Sequence, residues 1–259
     1  MGQIKENIQE LEQKMMELRG YKVVKSNDLI QKARFQLSLQ EQKVILYLIS
    51  KIQPNDNELK EHEFFITEFC NICGIDKDNG KNYKNVKNTI KTLADKSAWI
   101  KQENDSETLF RWINTATIKK KSGVISIKLH EKLRPYLLQL KERFTQYELL
   151  YTLAMRSQYS VRMYEILRSY EYQRYKKFEI EDLKHILAAE NYGRYPDFKR
   201  KVLDIAIREI NDLSDLTVTY KIIKEGRRYA KIEFYILIKK NMEDRLKTWA
   251  NIDEIINPV

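Results

Sequence analysis

Along the stretch "YPDFKRKVLDIAIREINDLSDLTVTY", 195–220, a helical repeat turns Phe198, Val202, Ala206 and Ile210 to one side, widened by Leu203, Ile205 and Ile207. Asp197, Arg200, Lys201, Asp204 and Arg208 are left on the other side, with Lys199 beside them. A second stretch, 83–96, repeats the arrangement, with Tyr83, Val86, Ile90, Leu93 and Ala94 inward and Lys84, Lys87, Asn88 and Lys91 outward. Arginine pairs in bidentate fashion with guanine O6 and N7, asparagine does so with adenine, and aspartate accepts from cytosine N4, so each row holds types able to read base edges. A charged row is equally the wet side of an ordinary amphipathic helix, and Asp197, in a first turn, also complements the helix dipole. Either row alone decides nothing.

Other chemistries find no seat. His62, His130 and His185 are scattered and form no His-hydrophobe-His triplet of the kind that holds a metal beside a nicking tyrosine, so the 16 tyrosines supply no nucleophile argument, and most are expected in the core or at interfaces with hydroxyls reaching water. Cys70 and Cys73 form one C-x-x-C without the second pair a structural zinc needs, and are expected as a buried helical pair. Neither a G-x-x-x-x-G-K-[ST] loop nor a G-x-G-x-x-G turn is present. Glu61 with Glu63, and Glu179 with Glu181 and Asp182, suit strand ends and helix starts. We therefore expect no catalytic residue, no metal and no cofactor.

Composition points the same way. With 47 Lys and Arg against 37 Asp and Glu, the net charge is +10, a field that draws a polyanion. A membrane surface would share that attraction, but no apolar run of about 18 residues exists, mean hydropathy is −0.60, and the N-terminus lacks a signal-peptide core. Two cysteines suit a reducing compartment, so a cytoplasmic location and no membrane partner are expected.

The elements that must hold the two rows come in one order, twice. "LSLQEQKVILYLISKI" opens with Ser38 and Glu41 at capping-box spacing; "FTQYELLYTLAMRS" opens with Thr145 and Glu148 likewise. Strands "EFFIT" (63–67) and "KFEIE" (177–181) follow, then short helices from Glu68 and Glu181, then the long helices at 83–96 and 196–212, then hairpins. "VRMYEILRSYEYQRY" adds a helix to the second half alone. That order is a winged helix-turn-helix, whose second helix enters the major groove. The predicted fold class is α+β: two tandem winged-helix domains related as an internal repeat, with an N-terminal amphipathic helical segment. The second wing, 216–239, would carry Lys224, Arg227 and Arg228 around a turn at Glu225 and Gly226; the first half, from Ser97 to Leu129, reads as three strands whose second turn is Lys119–Gly123. Basic tips suit phosphates, and they also keep a sheet edge from aggregating.

The expected boundaries are 1–20 for the amphipathic segment, 21–143 and 144–240 for the domains, and 241–259 for a tail, with "HEKLRPYLLQLKERF" as a helical connector and the seam near Arg143–Thr145. In the first segment Ile4, Ile8, Leu11, Met15 and Leu18 form an a/d seam ended by Gly20. Docking on its own body, self-association and disorder all remain open for it.

"YKVVKSNDLIQKARFQLSLQEQKVILYLISKI", "SQYSVRMYEILRSYEY" and "YPDFKRKVLDIAIREIND" resemble the iteron-binding plasmid replication initiators, bacterial Rep proteins of two winged-helix domains, over about Tyr21 to Lys239. The resemblance implies a sequence-specific protein that binds directly repeated sites in double-stranded plasmid origin DNA as a monomer and helps open the origin. It implies a homodimer in equilibrium with that monomer, repressing its own synthesis, and host replication proteins, a helicase or its loader, as partners. It further implies that the helix from Pro196 is the main reader, that the helix from Tyr83 is the second, and that the first domain's hairpins form the dimer surface. The alternatives are a transcriptional regulator without initiator activity and a DNA-nicking enzyme.

Overall fold

The structure is a computed structural model that describes residues 21–53, 56–73, 82–102, 106–119 and 121–256, without the side chains of 68, 71–73 and 82. The heptad expected at 1–20 lies outside the described residues, as does the side chain of Cys73. From Val23 on, the chain divides into two compact units, Val23–Gln146 with Ile186–Ala188, and Tyr147–His185 with Ala189–Val259.

The first unit begins with β1 (Lys22–Ser26), α1 (Asn27–Lys32) and β2 (Ala33–Arg34). Helix α2 (Leu39–Ser50) follows and is buried nearly all round. Its start is the capping box the sequence proposes: Glu41 N–H donates to Ser38 Oγ (3.3 Å), and Ser38 N–H donates to Glu41 Oε2 (2.7 Å). Next come β3 (Glu61–Phe65), α3 (Ile66–Cys73), α4 (Asn82–Ala94) and four strands, β4 (Ser97–Lys101), β5 (Glu107–Arg111), β6 (Ile113–Lys119) and β7 (Val124–Leu129). Four strands stand where three were expected. The chain runs through Trp112, which is 1% exposed and meets Phe110 and Phe35 edge-on, and this buried indole divides the run. One sheet is then β2-β4-β5 and the other β3-β7-β6.

The connector at 130–144 is not one helix. A 3₁₀ turn (Glu131–Leu133) and α5 (Arg134–Leu137) end at Leu138, and Gln139 and Arg143 take φ of 53° and 51°, a left-handed backbone that no α-helix contains. Strand β8 (Phe144–Glu148) follows. Thr145 is consequently a strand residue and not a cap: its Oγ1 donates to Asn27 Oδ1 (2.7 Å), and Glu148 stands at the start of α6 (Leu149–Ala154) with no side-chain cap.

In the second unit α7 (Gln158–Arg168) is capped by Ser157 and buried on most faces. Strand β9 (Tyr175–Glu179) leads into α8 (Ile180–Ile186). Both β3 and β9 lie two residues before their expected positions, because pairing stops at Phe65 with Val124 and at Glu179 with Lys231. Ile66 and Ile180 therefore open helices despite a strand-like branch at Cβ. The long helix α9 is made of α-helical Tyr195–Phe198, a π-helical turn Lys199–Leu203 and α-helical Asp204–Leu213. Strands β10 (Leu216–Glu225) and β11 (Arg228–Ile238) form one long hairpin in a β10-β11-β9 sheet.

The segment 241–259, expected as a tail, holds helix α10 (Met242–Ile256), which buries Trp249 and Ile252. Lys239 Nζ ties it to α9: it donates to the carbonyls of Asn211 and Ser214 at the end of that helix and to Thr248 Oγ1. Two core tyrosines find protein acceptors for their hydroxyls. Tyr147 donates to Glu165 (2.5 Å) and Tyr164 to Asp215 (2.9 Å), because in a dry core a hydroxyl needs a protein acceptor.

Candidate nucleic-acid interface

Each unit presents one long helix that packs an apolar side inward and exposes a basic side. In α4, Val86, Ile90 and Leu93 are buried against the first unit, while Lys84, Lys87, Asn88 and Lys91 are exposed. None of those three lysines has a carboxylate within ion-pair distance among the described residues. At the nearby hairpin turn, Lys119 is bonded to Glu63 (2.8 Å), Lys121 is exposed, and Gly123, with φ +64°, takes the left-handed conformation the turn requires. Lys120 lies outside the described residues. Gly123 O also accepts from Ile66 N–H (2.8 Å), which fixes the turn to the start of α3.

Helix α9 buries Phe198, Val202, Leu203, Ala206 and Ile210 completely and exposes Arg200, Lys201 and Arg208. The Arg200 side chain is 74% exposed and is held by one long contact, 3.4 Å, to Asp197. Lys201 lies over the Tyr192 ring at 5.9 Å. Lys199 differs. Its Nζ donates to both oxygens of Asp204 (2.8 and 2.7 Å), and the Tyr220 hydroxyl donates to Asp204 Oδ1 (2.8 Å). The bond to Asp204 pushes the Lys199 ammonium up to about 12; at Asp204 partial burial is outweighed by Lys199 and Tyr220, which hold the carboxyl below its ordinary value.

The wing ends in a two-residue turn, Gly226-Arg227, with positive φ (+62°) at Gly226 and not at Arg227, the pattern of a type II′ hairpin. A bulge between Ile223 and Lys224 turns the Lys224 ammonium over the Tyr229 ring, 4.6 Å from its centre. Lys224, Arg227 and Arg228 are all exposed, and none has a carboxylate partner among the described residues. Just past the turn, near the wing's tip, Tyr229 stacks on Tyr195 of α9, centroids 4.1 Å apart. The two rings border a cavity of about 530 Å³ shared with Glu181, Lys184, Gly193 and Arg228. Lys184, 2% exposed, satisfies its ammonium on Glu181 (2.9 Å) and Gly193 O (3.3 Å).

The sequence-predicted residues thus gather in two places, one on each unit, and all twelve lie wholly or partly at the surface. What sequence reasoning missed is the set joining helix to wing: Tyr195, Tyr220 and Tyr229, with Asp204 as an acceptor. Tyrosines at 220 and 229 flanking a predicted turn were the available signal. Among the described residues no cluster of His, Cys, Asp and Glu could hold a metal, and no helix is long and apolar enough to cross a membrane.

Residues 22–168 match the family described as initiator replication protein, WH1, and residues 179–236 match initiator Rep protein, WH2. The PI protein of Escherichia coli is 30% identical over 139 residues, 46% of this chain and 45% of that protein, so the match spans less than half of that relative. A replication initiation protein of Escherichia coli is 26% identical over 234 residues, covering 85% of this chain and 71% of its own. The fold is similar to the crystal structure of Pi initiator protein in complex with iteron DNA, with a TM-score of 0.69, 21% identity, and coverage of 86% of this chain and 99% of that one. With both winged-helix signatures present, in order and on successive parts of the chain, the protein belongs to the initiator replication protein family.

Proposed function

We propose that this chain is a plasmid replication initiator that binds directly repeated origin sites, or iterons, in double-stranded DNA and promotes opening of the adjacent duplex. The observation that carries this is the duplicated helix-turn-helix, each copy turning a basic row outward beside a hairpin. The solved Pi structure, similar in fold, is a complex with iteron DNA. In the main reader, Arg200 addresses guanine, Asp197 accepts from cytosine, and Lys201 and Arg208 take neighbouring bases or phosphates. On α4, Asn88 reads adenine while Lys84, Lys87 and Lys91 neutralise phosphates; Lys224, Arg227 and Arg228 do so from the wing.

The protein acts without catalysis, cofactor or metal, in the bacterial cytoplasm on its plasmid, and hands the open origin to a host helicase or its loader. A homodimer, in equilibrium with the origin-binding monomer, represses the initiator's own gene. Its surface is the outer side of the β2-β4-β5 sheet, where Trp99 (45% exposed) pairs across strands with Leu109 (48% exposed). The test uses a supercoiled plasmid carrying the DNA that flanks the coding gene. The chain should protect a row of direct repeats and render adjacent bases reactive to a single-strand probe. Protection without reactive bases would leave a repressor only, and metal-dependent strand cleavage would refute the non-enzymatic reading.

A further inference from the structure

We propose that Lys199, Asp204 and Tyr220 form a brace that fixes the wing of the second unit to its reader helix, making Lys199 a positioning residue and not a DNA contact. This rests on the DNA-binding function proposed above. In a regular α-helix, residues five apart point about 140° away from one another, since each step turns about 100°. Lys199 and Asp204 nevertheless meet through two hydrogen bonds, because the turn between them is π-helical, with Asp204 N–H donating to Lys199 O. Such a turn is rare, is less favourable than α-helix, and recurs where function depends on it. Here it brings Asp204 into reach of Lys199 on one side and of Tyr220, a β10 residue, on the other.

The inner half of the wing is fixed by the pairing of Lys231–Tyr235 with β9, by the burial of Leu216, Val218, Phe234 and Ile236, and by Asn211 of α9, which bonds both main-chain groups of Val218. Its outer part is largely exposed, and beside its tip, at Arg228, Tyr229 and Ala230, lies the cavity of about 530 Å³. The Tyr195–Tyr229 stack holds the tip beside that space, and farther down the hairpin the brace joins α9 to β10 between the stack and the Asn211 contact. Together with the stack, the brace sets how Lys224, Arg227 and Arg228 lie toward phosphates while Arg200 and Lys201 are seated on bases. A pre-set angle removes an ordering cost that binding would otherwise carry.

The brace and a direct contact by Lys199 predict opposite signs. Removing a carboxylate from a DNA-facing helix strengthens binding if electrostatics alone operate, and frees Lys199 for phosphate. If Asp204 braces the wing, Asp204→Ala weakens binding. Alanine favours helix, so the variant retains its fold, and Tyr220→Phe provides a second test that alters no charge. The probe is a fluorescein-labelled duplex selected from a random pool by the wild-type chain, titrated at several salt concentrations.

Both variants should bind about tenfold more weakly. The slope of log K against log salt should fall by about 0.9 for each wing phosphate lost. Placed in a Lys224→Ala, Arg227→Ala, Arg228→Ala background, neither change should have further effect, a result that mere destabilisation would not produce. Equal or tighter binding by Asp204→Ala with an unchanged slope overturns the brace. Failure of the wild-type chain to enrich any duplex overturns the DNA-binding function itself, and the brace with it.

Discussion

The two units share an element order and differ in how firmly their outward basic rows are tied down. In the first, α4 offers Lys84, Lys87, Asn88 and Lys91 with no acid among them, and the hairpin run is divided at Trp112 into two three-stranded sheets. In the second, the outward row mixes signs, Asp197 touches Arg200, Asp204 holds Lys199, and one long hairpin is fastened near its tip by a tyrosine stack. A free lysine row adapts to any phosphate path but imposes little geometry. Planar arginine donors held by neighbouring acids discriminate among bases only when the helix beneath them is immobile. On the function proposed above, the first unit would grip and the second would read.

The largest effect should come from the part that one unit has and the other lacks. Helix α10 lies beyond the 179–236 region matched by the second family description, yet it buries Trp249 and is tied by Lys239 to the end of the reader helix. Trp249→Ala should cost about 3–5 kcal/mol, the range for truncating a buried aromatic, read as a lower urea midpoint by circular dichroism. An unchanged midpoint would remove α10 from the account of why the second reader is rigid.

Smaller but more telling is the contrast between readers. Arg200→Ala should cost about 1–3 kcal/mol on a selected site and relax preference at one base pair, with little change on random duplex. Lys87→Ala should weaken both alike and lower the salt slope by about 0.9. Equal behaviour of the two variants on both duplexes would erase the division between grip and reading.

How much of this was legible beforehand divides along a physical line. The inward stripes of α4 and α9 could be read because helix period and burial are local properties, and Ser38 with Glu41 could be read because a capping box spans four residues. Thr145 has the same spacing to Glu148, but pairing with β1 claims it first, and tertiary pairing overrides local preference. The π turn was invisible because a stripe at 198, 202, 206 and 210 fits the ordinary period closely enough to hide one inserted residue. Trp112 offered no sign that it would divide a strand run, since alternation continues on both sides of it. The Lys199–Asp204–Tyr220 contact joins a helix to a strand and depends on that same turn, so no pattern in the chain announces it.

The two apparent capping boxes make the next comparison. Ser38→Ala should lose about 1 kcal/mol, a typical cap, while Thr145→Ala should leave α6 intact and lose only its bond to Asn27. Helix content by circular dichroism after each change distinguishes the two, and equal losses would restore the symmetry that the structure denies.

The smallest effect is one of pH, and it belongs to the intact box alone. Burial by itself would push the Glu41 carboxyl up, but its hydrogen bonds from Lys96 and from the Ser38 N–H, and the Lys96 charge, together hold it below the ordinary value of 4.5. A carboxyl whose folded pKa is depressed contributes stability above its unfolded pKa and loses it as pH falls through the folded one. The contribution of Glu41 should therefore be complete at pH 6 and decline once pH drops below about 4.5. Glu41→Gln keeps an acceptor for Ser38 but no charge for Lys96. The gap in urea midpoint between wild type and this variant should close as pH is lowered from 6 toward 3. A gap that stays constant would mean that the box acts through hydrogen-bond geometry and not through the charge of Glu41.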